Sequence, residues 1–268
     1  MNITAILAVR NEQAYIANCL QHLVDNGLNF IVVDNESDDG TDLIVRSDRF
    51  RPHLIEIVRH PYPGFFDWTG LMQAREAAAA RSGADWVVFV SADEIMHSYR
   101  RAETLADAVR RVAYEGADVI DFNEFVFLPV EHPYVPDHRG FQPSRHYYFF
   151  EPNAPRLMRA RKRNLDVSHV SQGGHTLEGG EFTLARESFA LRHYIFRDQN
   201  HAWAKYEQRR FSQSEVDSGW HGNRENFERQ CFGFPHPGRL SRLRSEDDRY
   251  LDRSRPETLH YWQWAADP

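Results

Sequence analysis

The sequence predicts an α/β fold with a mostly parallel central sheet and helices on both of its faces. Short apolar runs alternate with segments of helical periodicity through the first third of the chain. Residues 86–90, WVVFV, are apolar without interruption, which is typical of a strand buried on both faces. The 268 residues, 41% of them hydrophobic, are enough for one large core.

Each element of the first third has its own local signal. Strands are predicted where β-type apolar residues cluster, at residues 3–9, 30–33, 54–58 and 86–90. Helices are predicted between them where apolar residues recur at helical spacing, at 15–23, near Leu43 and Ile44, and at 71–81. Asn26-Gly27 and Gly83 are expected to end the first and the last of these helices.

The remainder of the chain is less regular. Its predicted elements are a helix at 102–114, a strand or strand pair at 119–130, a functional loop at 129–155, a strand at 189–196 and a helix at 202–216. Beyond Gly219 the sequence is polar and arginine-rich. We therefore predict one domain over residues 1–218 and an irregular C-terminal extension, 219–268, that packs on it.

Composition excludes several classes of protein. A net charge of −7 argues against a nucleic-acid partner bound by broad phosphate neutralisation. Cys19 and Cys231 lack metal-site spacing and indicate a reducing compartment. No apolar run is long enough to cross a membrane, and the first residues lack the basic region of a signal peptide, so a cytoplasmic location is expected.

Polar residues follow three of the predicted strands. Arg10-Asn11-Glu12 follows the first strand, Asp34-Asn35 the second, and Asp93-Glu94 the fourth. Ligands of open α/β sheets bind beyond the carboxyl ends of the strands, so these side chains are expected to share one site. Oxygen ligands favour Mg²⁺ or Mn²⁺, which can stabilise a leaving diphosphate. The pattern predicts nucleotide-linked group transfer.

Three segments carry a family resemblance: AVRNE at 8–12, VVDNESDDGT at 32–41 and AREAAAARSGADWVVFVSADE at 74–94. In this order they resemble family 2-type glycosyltransferases of the GT-A fold. The Asp-Glu ending and the later His193, Tyr194 and Lys205 resemble the branch with an Asp-x-Asp-Glu-Phe motif. The resemblance implies an Mn²⁺- or Mg²⁺-dependent, inverting transfer of a sugar from a nucleotide-diphosphate donor to a carbohydrate or other hydroxyl acceptor.

The resemblance also implies roles for individual residues. Asp34 and Asn35 match the nucleobase contacts, Arg75 the diphosphate contact, and Asp93 the catalytic metal ligand, a duty that Glu94 could share. Ser91 stands where the family commonly has an aspartate that contacts the ribose. The nucleotide site is predicted to comprise Val9, Arg10, Asn11, Glu12, Asp34, Asn35, Arg75, Ser91 and Ala92.

The second half should complete the site. The resemblance implies a metal-ligating histidine from the C-terminal half, and His193 and His175 are the candidates. Glu124 is the first candidate for the catalytic base, with Glu178 and Asp137 as alternatives. Structural alternatives stay open: Asp34 as a turn residue, Arg75 as a solvated helix residue, Asp93 and Glu94 as a charged turn, and His193 as a buried structural histidine.

A basic run and scattered aromatics complete the candidates. Arg156, Arg159, Arg161, Lys162 and Arg163 could bind diphosphate, an anionic acceptor or an acidic membrane surface, or form a solvated surface. Candidate sugar-stacking aromatics are Tyr147, Tyr148, Trp203, Trp220, Trp262 and Trp264. Two other functions stay open, a non-catalytic nucleotide- or carbohydrate-binding protein and a sugar nucleotidyltransferase, although the latter would want a glycine-rich loop after the first strand.

Overall fold

The computed structural model describes residues 1–131, 144–207, 210–217, 233–245 and 248–264. Six strands form the first sheet: β1 (Ile3–Val9), β2 (Asn29–Asp34), β3 (Leu54–Arg59), β4 (Trp86–Val90), β6 (Val119–Ile120) and β9 (Ala160–Lys162). The spatial order is β3-β2-β1-β4-β9-β6. The four strands predicted from the sequence are mutually parallel, whereas β9 runs antiparallel to β4 and to β6.

Helices cover both faces of this sheet, which confirms the predicted fold class. The longer helices are α1 (Ile16–Asp25), α3 (Trp68–Arg81) and α4 (Leu105–Tyr114); α2 (Thr41–Val45) is a single short turn. Apolar residues of α1 and α4 share one core with alternate residues of β1, β2 and β4. The opposite alternation, which includes Ile6 and Val87, packs with Leu71 and Ala78 of α3. Strict period-two alternation therefore divides the apolar runs between two cores.

A second sheet, which the sequence did not predict, lies beside the first. Its strands are β5 (Glu94–His97), β7 (Phe122–Leu128), β8 (His146–Phe150), β12 (Phe189–His193) and β13 (Ser241–Arg242), in the order β13-β8-β7-β12-β5, and β14 (Pro256–Glu257) also pairs with β8. Strand β8 falls inside the predicted loop 129–155, so the loop prediction is wrong for those residues. Strands β10 (Val167–Ser168) and β11 (Glu178–Gly179) form a separate hairpin pair.

Several helix limits differ from prediction because local caps set them. Helix α3 begins at Trp68 because the Asp67 carboxylate accepts a hydrogen bond from the backbone N–H of Gly70. Thr104 caps α4 in the same way. The single helix predicted at 202–216 is two helices, α5 (Gln199–Glu207) and α6 (Gln213–Asp217), and the Ser212 hydroxyl accepts from the N–H of Glu215 at the start of α6. Among the described helices, none has the length and hydropathy needed to span a membrane.

The C-terminal residues contribute to the second sheet. Arg242 of β13 lies opposite His146, and Pro256 of β14 lies opposite Phe149. Leu240 and Tyr261 are buried against Tyr148 and other aromatic residues of the same core. The domain limit at residue 218 stays a prediction, because residues 218–232 lie outside the described part of the chain.

Candidate functional site

The carboxyl ends of β1 and β4 open into a cleft of about 1090 Å³. Eleven of the predicted site residues line it: Val9, Arg10, Asn11, Glu12, Ser91, Ala92, Asp93, Glu94, Glu124, His175 and His193. The second sheet and the C-terminal segment supply the facing wall, which includes Phe150, His260 and Trp262. The parallel register places the ends of these strands side by side, because Val9 of β1 lies opposite Asp34 of β2 and Leu7 of β1 lies opposite Val90 of β4. The residues that follow each strand therefore meet at one edge of the sheet.

A chain of alternating charges crosses this cleft. Lys205 donates from Nζ to Asp93 Oδ2 at 2.8 Å, and His193 Nε2 lies 3.6 Å from the same oxygen. His193 donates from Nδ1 to Glu124 Oε1 at 2.6 Å, and Arg156 pairs with Glu124 Oε2. Three cations thus alternate with two buried carboxylates.

Strand register brings Glu124 and His193 together. In the parallel pair β7·β12, Leu191 lies opposite Glu124 and His193 lies opposite Val126. Side chains two residues apart on a strand point to the same face, so His193 is the diagonal neighbour of Glu124. Asp93 reaches them because the N–H of Tyr194 donates to the Asp93 carbonyl at 2.8 Å, which fixes the start of β5 beside the end of β12.

These contacts shift the pKa values of the three central groups. Burial alone would raise the pKa of Asp93, but Lys205 and His193 outweigh it and hold that pKa well below its usual value. Burial is likewise outweighed at Glu124, where Arg156 and His193 keep the pKa well below its ordinary value. Burial would lower the pKa of His193, yet the two carboxylates raise it to about 10. At neutral pH Asp93 and Glu124 are therefore ionised and His193 is protonated.

The turn at the end of β4 is held by its own residues. Glu94 accepts from the backbone N–H of Ser91 through Oε2 at 2.7 Å, and its Oε1 lies 3.7 Å from Arg159 Nη2. The N–H of Glu94 returns a hydrogen bond to the Ser91 carbonyl at 3.1 Å. Glu94 thus shapes the turn that presents Ser91 and Asp93 to the cleft.

The loop after β1 is bound to the loop after β2. Arg10 donates from Nη1 to the carbonyls of Asn35 and Glu36, both at 2.6 Å, and its guanidinium lies 3.5 Å from the centre of the Tyr62 ring. Asn11 exchanges two hydrogen bonds of 2.9 Å with Asp38. Arg10, Asn11 and Tyr62 line one wall of the cleft, and the loop after β2 holds Arg10 and Asn11 from behind.

Asp34 and Asn35 lie behind this wall, outside the lining of the cleft. Asp34 is buried and accepts from Arg59 at 2.6 Å and from the N–H of Ser37 at 3.2 Å. Asn35 is buried and donates to the carbonyls of His60 and Pro61. The Asp34–Ser37 contact is that of a turn residue, the alternative interpretation of Asp34. The nucleobase contact of Asp34 and Asn35 stays a prediction.

Arg75 also lies away from the cleft, and it is not the solvated residue of the alternative interpretation. It is 1% exposed, donates to the carbonyls of Ile6 and Val90, and lies over the Phe89 ring. Burial, together with nearby Arg159, lowers its pKa to about 9. This geometry favours a structural role beneath the sheet rather than the predicted diphosphate contact.

The alternative candidates for the base are separate from the charge chain. Glu178 is exposed on β11, accepts from the Ser171 hydroxyl and does not line the cleft. Asp137 lies outside the described residues, as does Trp220 among the candidate aromatics. Of the candidate metal ligands, His175 lines the cleft but is exposed, and its backbone rather than its ring makes its described hydrogen bonds.

The basic run forms internal contacts instead of a cationic surface patch. Arg156, Arg159, Arg161 and Lys162 face Glu124, Glu94, Glu76 and Asp118 respectively. Arg163 donates to the carbonyls of Ala84 and Ala80. Arg159 and Arg161 are buried, so the solvated-surface alternative is wrong for these two residues. The pairing leaves little free charge here for a membrane surface.

Comparison with known proteins identifies the family. The family model described as Glycosyl transferase family 2 matches residues 4–178, well over half of the chain. The chain belongs to this family. The matched region includes β1 to β4, the turn that carries Asp93, and Glu124. No curated protein matches the sequence at a significant level.

Solved structures similar to this family 2 domain include Staphylococcus aureus TarS, the mannosyltransferase PcManGT of Pyrobaculum calidifontis and glucosyl-3-phosphoglycerate synthase of Mycobacterium tuberculosis. TarS has a TM-score of 0.45 at 17% identity and covers 78% of this chain, which spans 38% of TarS. PcManGT, solved with GDP-Man and Mn²⁺, has a TM-score of 0.35 at 21% identity and covers 48% of this chain, which spans 36% of PcManGT. The synthase, solved with Mn²⁺, UDP-Glc and phosphoglyceric acid, has a TM-score of 0.34 at 17% identity and covers 62% of this chain, which spans 58% of the synthase. The chain spans less than two thirds of each of these proteins.

The sequence pointed to Lys205 only through the family 2 resemblance and gave it no role. It lies on α5, 112 residues after Asp93, and no local pattern links the two positions. Arg156 was predicted only as part of the basic run, yet it ends the charge chain.

The described residues contain no group of three or more histidine, cysteine, aspartate or glutamate side chains arranged to hold a metal ion.

Proposed function

We propose that this family 2 chain is a glycosyltransferase that moves a sugar from a nucleotide-diphosphate donor to a hydroxyl acceptor. The observation that carries the proposal is the convergence of the strand-end residues of β1 and β4 with Asp93, Glu124 and His193 on one cleft. A cleft of about 1090 Å³ has room for a nucleotide sugar together with part of an acceptor.

The donor's position follows from charge. A diphosphate is anionic, and five basic side chains line the cleft beside four carboxylates: Arg10, Arg156, Arg159, His193 and Lys205, and Glu12, Asp93, Glu94 and Glu124. The loop of Val9 to Glu12 and the turn of Ser91 and Ala92 then flank the nucleoside. Asp34 and Asn35 influence nucleoside binding indirectly, because they order the loop after β2 whose carbonyls accept hydrogen bonds from Arg10.

The proposed reaction inverts the anomeric centre. The acceptor oxygen forms a bond to the anomeric carbon while the bond from that carbon to the diphosphate oxygen breaks, and the electron pair leaves with the diphosphate. The acceptor's proton passes to Glu124, our proposed base. Because its low pKa makes Glu124 a weak proton acceptor, stabilisation of the leaving group must supply much of the rate enhancement.

The acceptor is proposed to bind against the opposite wall. Phe150, His260 and Trp262 stack in sequence, with ring centroids 3.9 Å and 4.3 Å apart. All three line the cleft. Aromatic faces are apolar surfaces with polar edges, which suits the face of a sugar ring. This wall favours a carbohydrate acceptor.

A panel of nucleotide-sugar donors tests the proposal directly. Purified protein is incubated with UDP-, GDP- and dTDP-linked sugars, and release of the nucleoside diphosphate is measured by mass spectrometry. Turnover of one donor, lost in Asp93→Asn, is expected. Binding of nucleoside diphosphates with no turnover of any donor would favour the second candidate, a non-catalytic binding protein, which the neutral Ser91 in place of a carboxylate supports.

A further inference from the structure

The predicted ligands of Mn²⁺ or Mg²⁺ do not fit a divalent cation in the arrangement described. Asp93 Oδ2 accepts from the Lys205 ammonium at 2.8 Å, and Glu94 Oε2 accepts from the N–H of Ser91 at 2.7 Å. His193 is hydrogen-bonded to Glu124 through Nδ1 and directs Nε2 toward Asp93. Metal ligands must offer lone pairs, and here Asp93 Oδ2 already accepts from an ammonium and Glu94 Oε2 from a backbone N–H.

We infer that Lys205 takes the place of a divalent cation, so that its ammonium neutralises the donor diphosphate and transfer proceeds without metal. The inference rests on the proposed function and concerns the same cleft. Lys205 would be a catalytic residue in this scheme, because its charge acts directly on the leaving group.

The position of Lys205 supports this role. Helix α5 carries it to the cleft, where Asp93 Oδ2 at 2.8 Å and the Ile195 carbonyl at 3.2 Å hold its Nζ. A lysine ammonium is a compact point charge with three donors, which suits a phosphate oxygen. Asp93 then orients the ammonium, a function for which a single carboxylate is sufficient. This also accounts for a motif in which Ser91 replaces a second acid.

The surrounding charges favour an anion without help from metal. Among the described residues of the charge chain, three cations face two carboxylates, so these five side chains carry one excess positive charge. Arg159 lies on the same wall, where Glu94 at 3.7 Å balances its charge. As the bond to the anomeric carbon breaks, negative charge grows on the diphosphate oxygen beside Lys205. A fixed cation there lowers the barrier because it needs no reorganisation.

Calorimetric titration with UDP, GDP and dTDP, in EDTA and separately in Mn²⁺, tests the inference on the unmodified chain. We expect one of these nucleotides to bind with affinities that agree within threefold in the two buffers. Binding that requires Mn²⁺ would overturn the inference and leave the proposed function intact. Absence of binding in both buffers would overturn the proposed function and the inference together.

Variants then assign the charge to Lys205. In EDTA, Lys205→Gln should weaken nucleotide binding at least tenfold, and Lys205→Arg should recover part of the loss. The matched control is Arg81→Gln, which removes one positive charge from an exposed pair with Glu56 outside the cleft and should leave binding unchanged. If Lys205→Gln is folded and binds as tightly as the unmodified chain, Lys205 is not the required cation. If it is unfolded, metal-free binding that is retained in part by Lys205→Arg still supports the charge requirement, and lost binding in that folded variant overturns it.

Discussion

Asp93 joins two parts of the molecule through a single carboxylate. It ends the turn after β4 in the first sheet, and its partners Lys205 and His193 come from α5 and from β12 of the second sheet. Removing one member of a buried ion pair leaves the other charge without compensation, which costs more than a surface pair does. The residue that we assign to donor binding is therefore also a determinant of stability.

Replacement of Asp93 by asparagine tests this double role. Asp93→Asn keeps the side-chain shape but leaves Lys205 and His193 facing each other, so we expect the free energy of unfolding to fall by about 3–5 kcal/mol. Urea unfolding measures the loss. The double variant Asp93→Asn/Lys205→Met should lose less stability than the two single variants lose together, because Lys205 no longer leaves an isolated charge. Strict additivity would contradict the proposed pair.

Glu124 is the second carboxylate to test, and Glu178 provides its control. Glu124→Gln removes the proposed base, so kcat should fall by about 100-fold or more while nucleotide affinity changes little. Glu178→Gln, exposed and outside the cleft, should keep full activity. A parallel loss of kcat and of nucleotide affinity in Glu124→Gln would instead indicate that Glu124 only positions His193 and Arg156.

At the scale of single elements, helix α3 illustrates how a motif match and a packing role can coincide. Arg75 matches the family arginine in sequence, yet α3 packs that side chain under β1 and β4. We expect Arg75→Met, which fills the same volume, to keep nucleotide affinity within about twofold, whereas Arg75→Ala should lower stability by about 2–5 kcal/mol through a cavity. Thermal unfolding and calorimetry distinguish the two effects. A folded Arg75→Met protein that no longer binds nucleotide would restore the diphosphate assignment.

Helix α1 carries a group that makes stability depend on pH. Burial lowers the pKa of His22 from 6.5 to about 4, although its ring is hydrogen-bonded to the Met96 carbonyl of β5. The unfolded chain therefore takes up a proton near pH 6.5 while the folded chain does not, and stability falls as pH drops from 6.5 toward 4. His22→Gln should reduce this slope between pH 6.5 and 5 in thermal unfolding. Equal slopes in the two proteins would contradict the assignment.

The elements that the sequence predicted are those with a local signal. Strands β1 to β4 are apolar runs with caps, turns and motif residues beside them, so their order and the shared strand-end edge follow from local chemistry. In the second sheet, β7 and β12 fall within predicted strands but their pairing has no local signal, and β13 and β14 have only two residues each, which distant partners make into strands. The charge chain escapes for the same reason, since the Glu124–His193 contact spans 69 positions and the Asp93–Lys205 contact spans 112.

At the scale of the whole molecule, the C-terminal segment is part of both the core and the cleft. Strands β13 and β14 pair with β8, and Leu240 and Tyr261 are buried against the aromatic core of the second sheet. His260 and Trp262 line the same cleft as Asp93. In our proposal the C-terminal segment also has a functional role, because His260 and Trp262 of the proposed acceptor wall belong to it.

A chain ending at Asp217 should consequently lose cooperative folding, even though the family 2 match ends at residue 178. Truncation uncovers the edge of β8 and, within the described part of the segment, removes four buried side chains, Leu240, Leu243, Leu251 and Tyr261. Each such side chain contributes about 1.5–3 kcal/mol, and whole domains are stable by only about 5–15 kcal/mol. We expect a broad thermal transition and binding of a hydrophobic dye, with Tyr261→Ala in the full chain showing a smaller, still cooperative loss. A sharp transition in the truncated chain would instead establish residues 1–217 as an independent domain, with the C-terminal segment serving the acceptor wall alone.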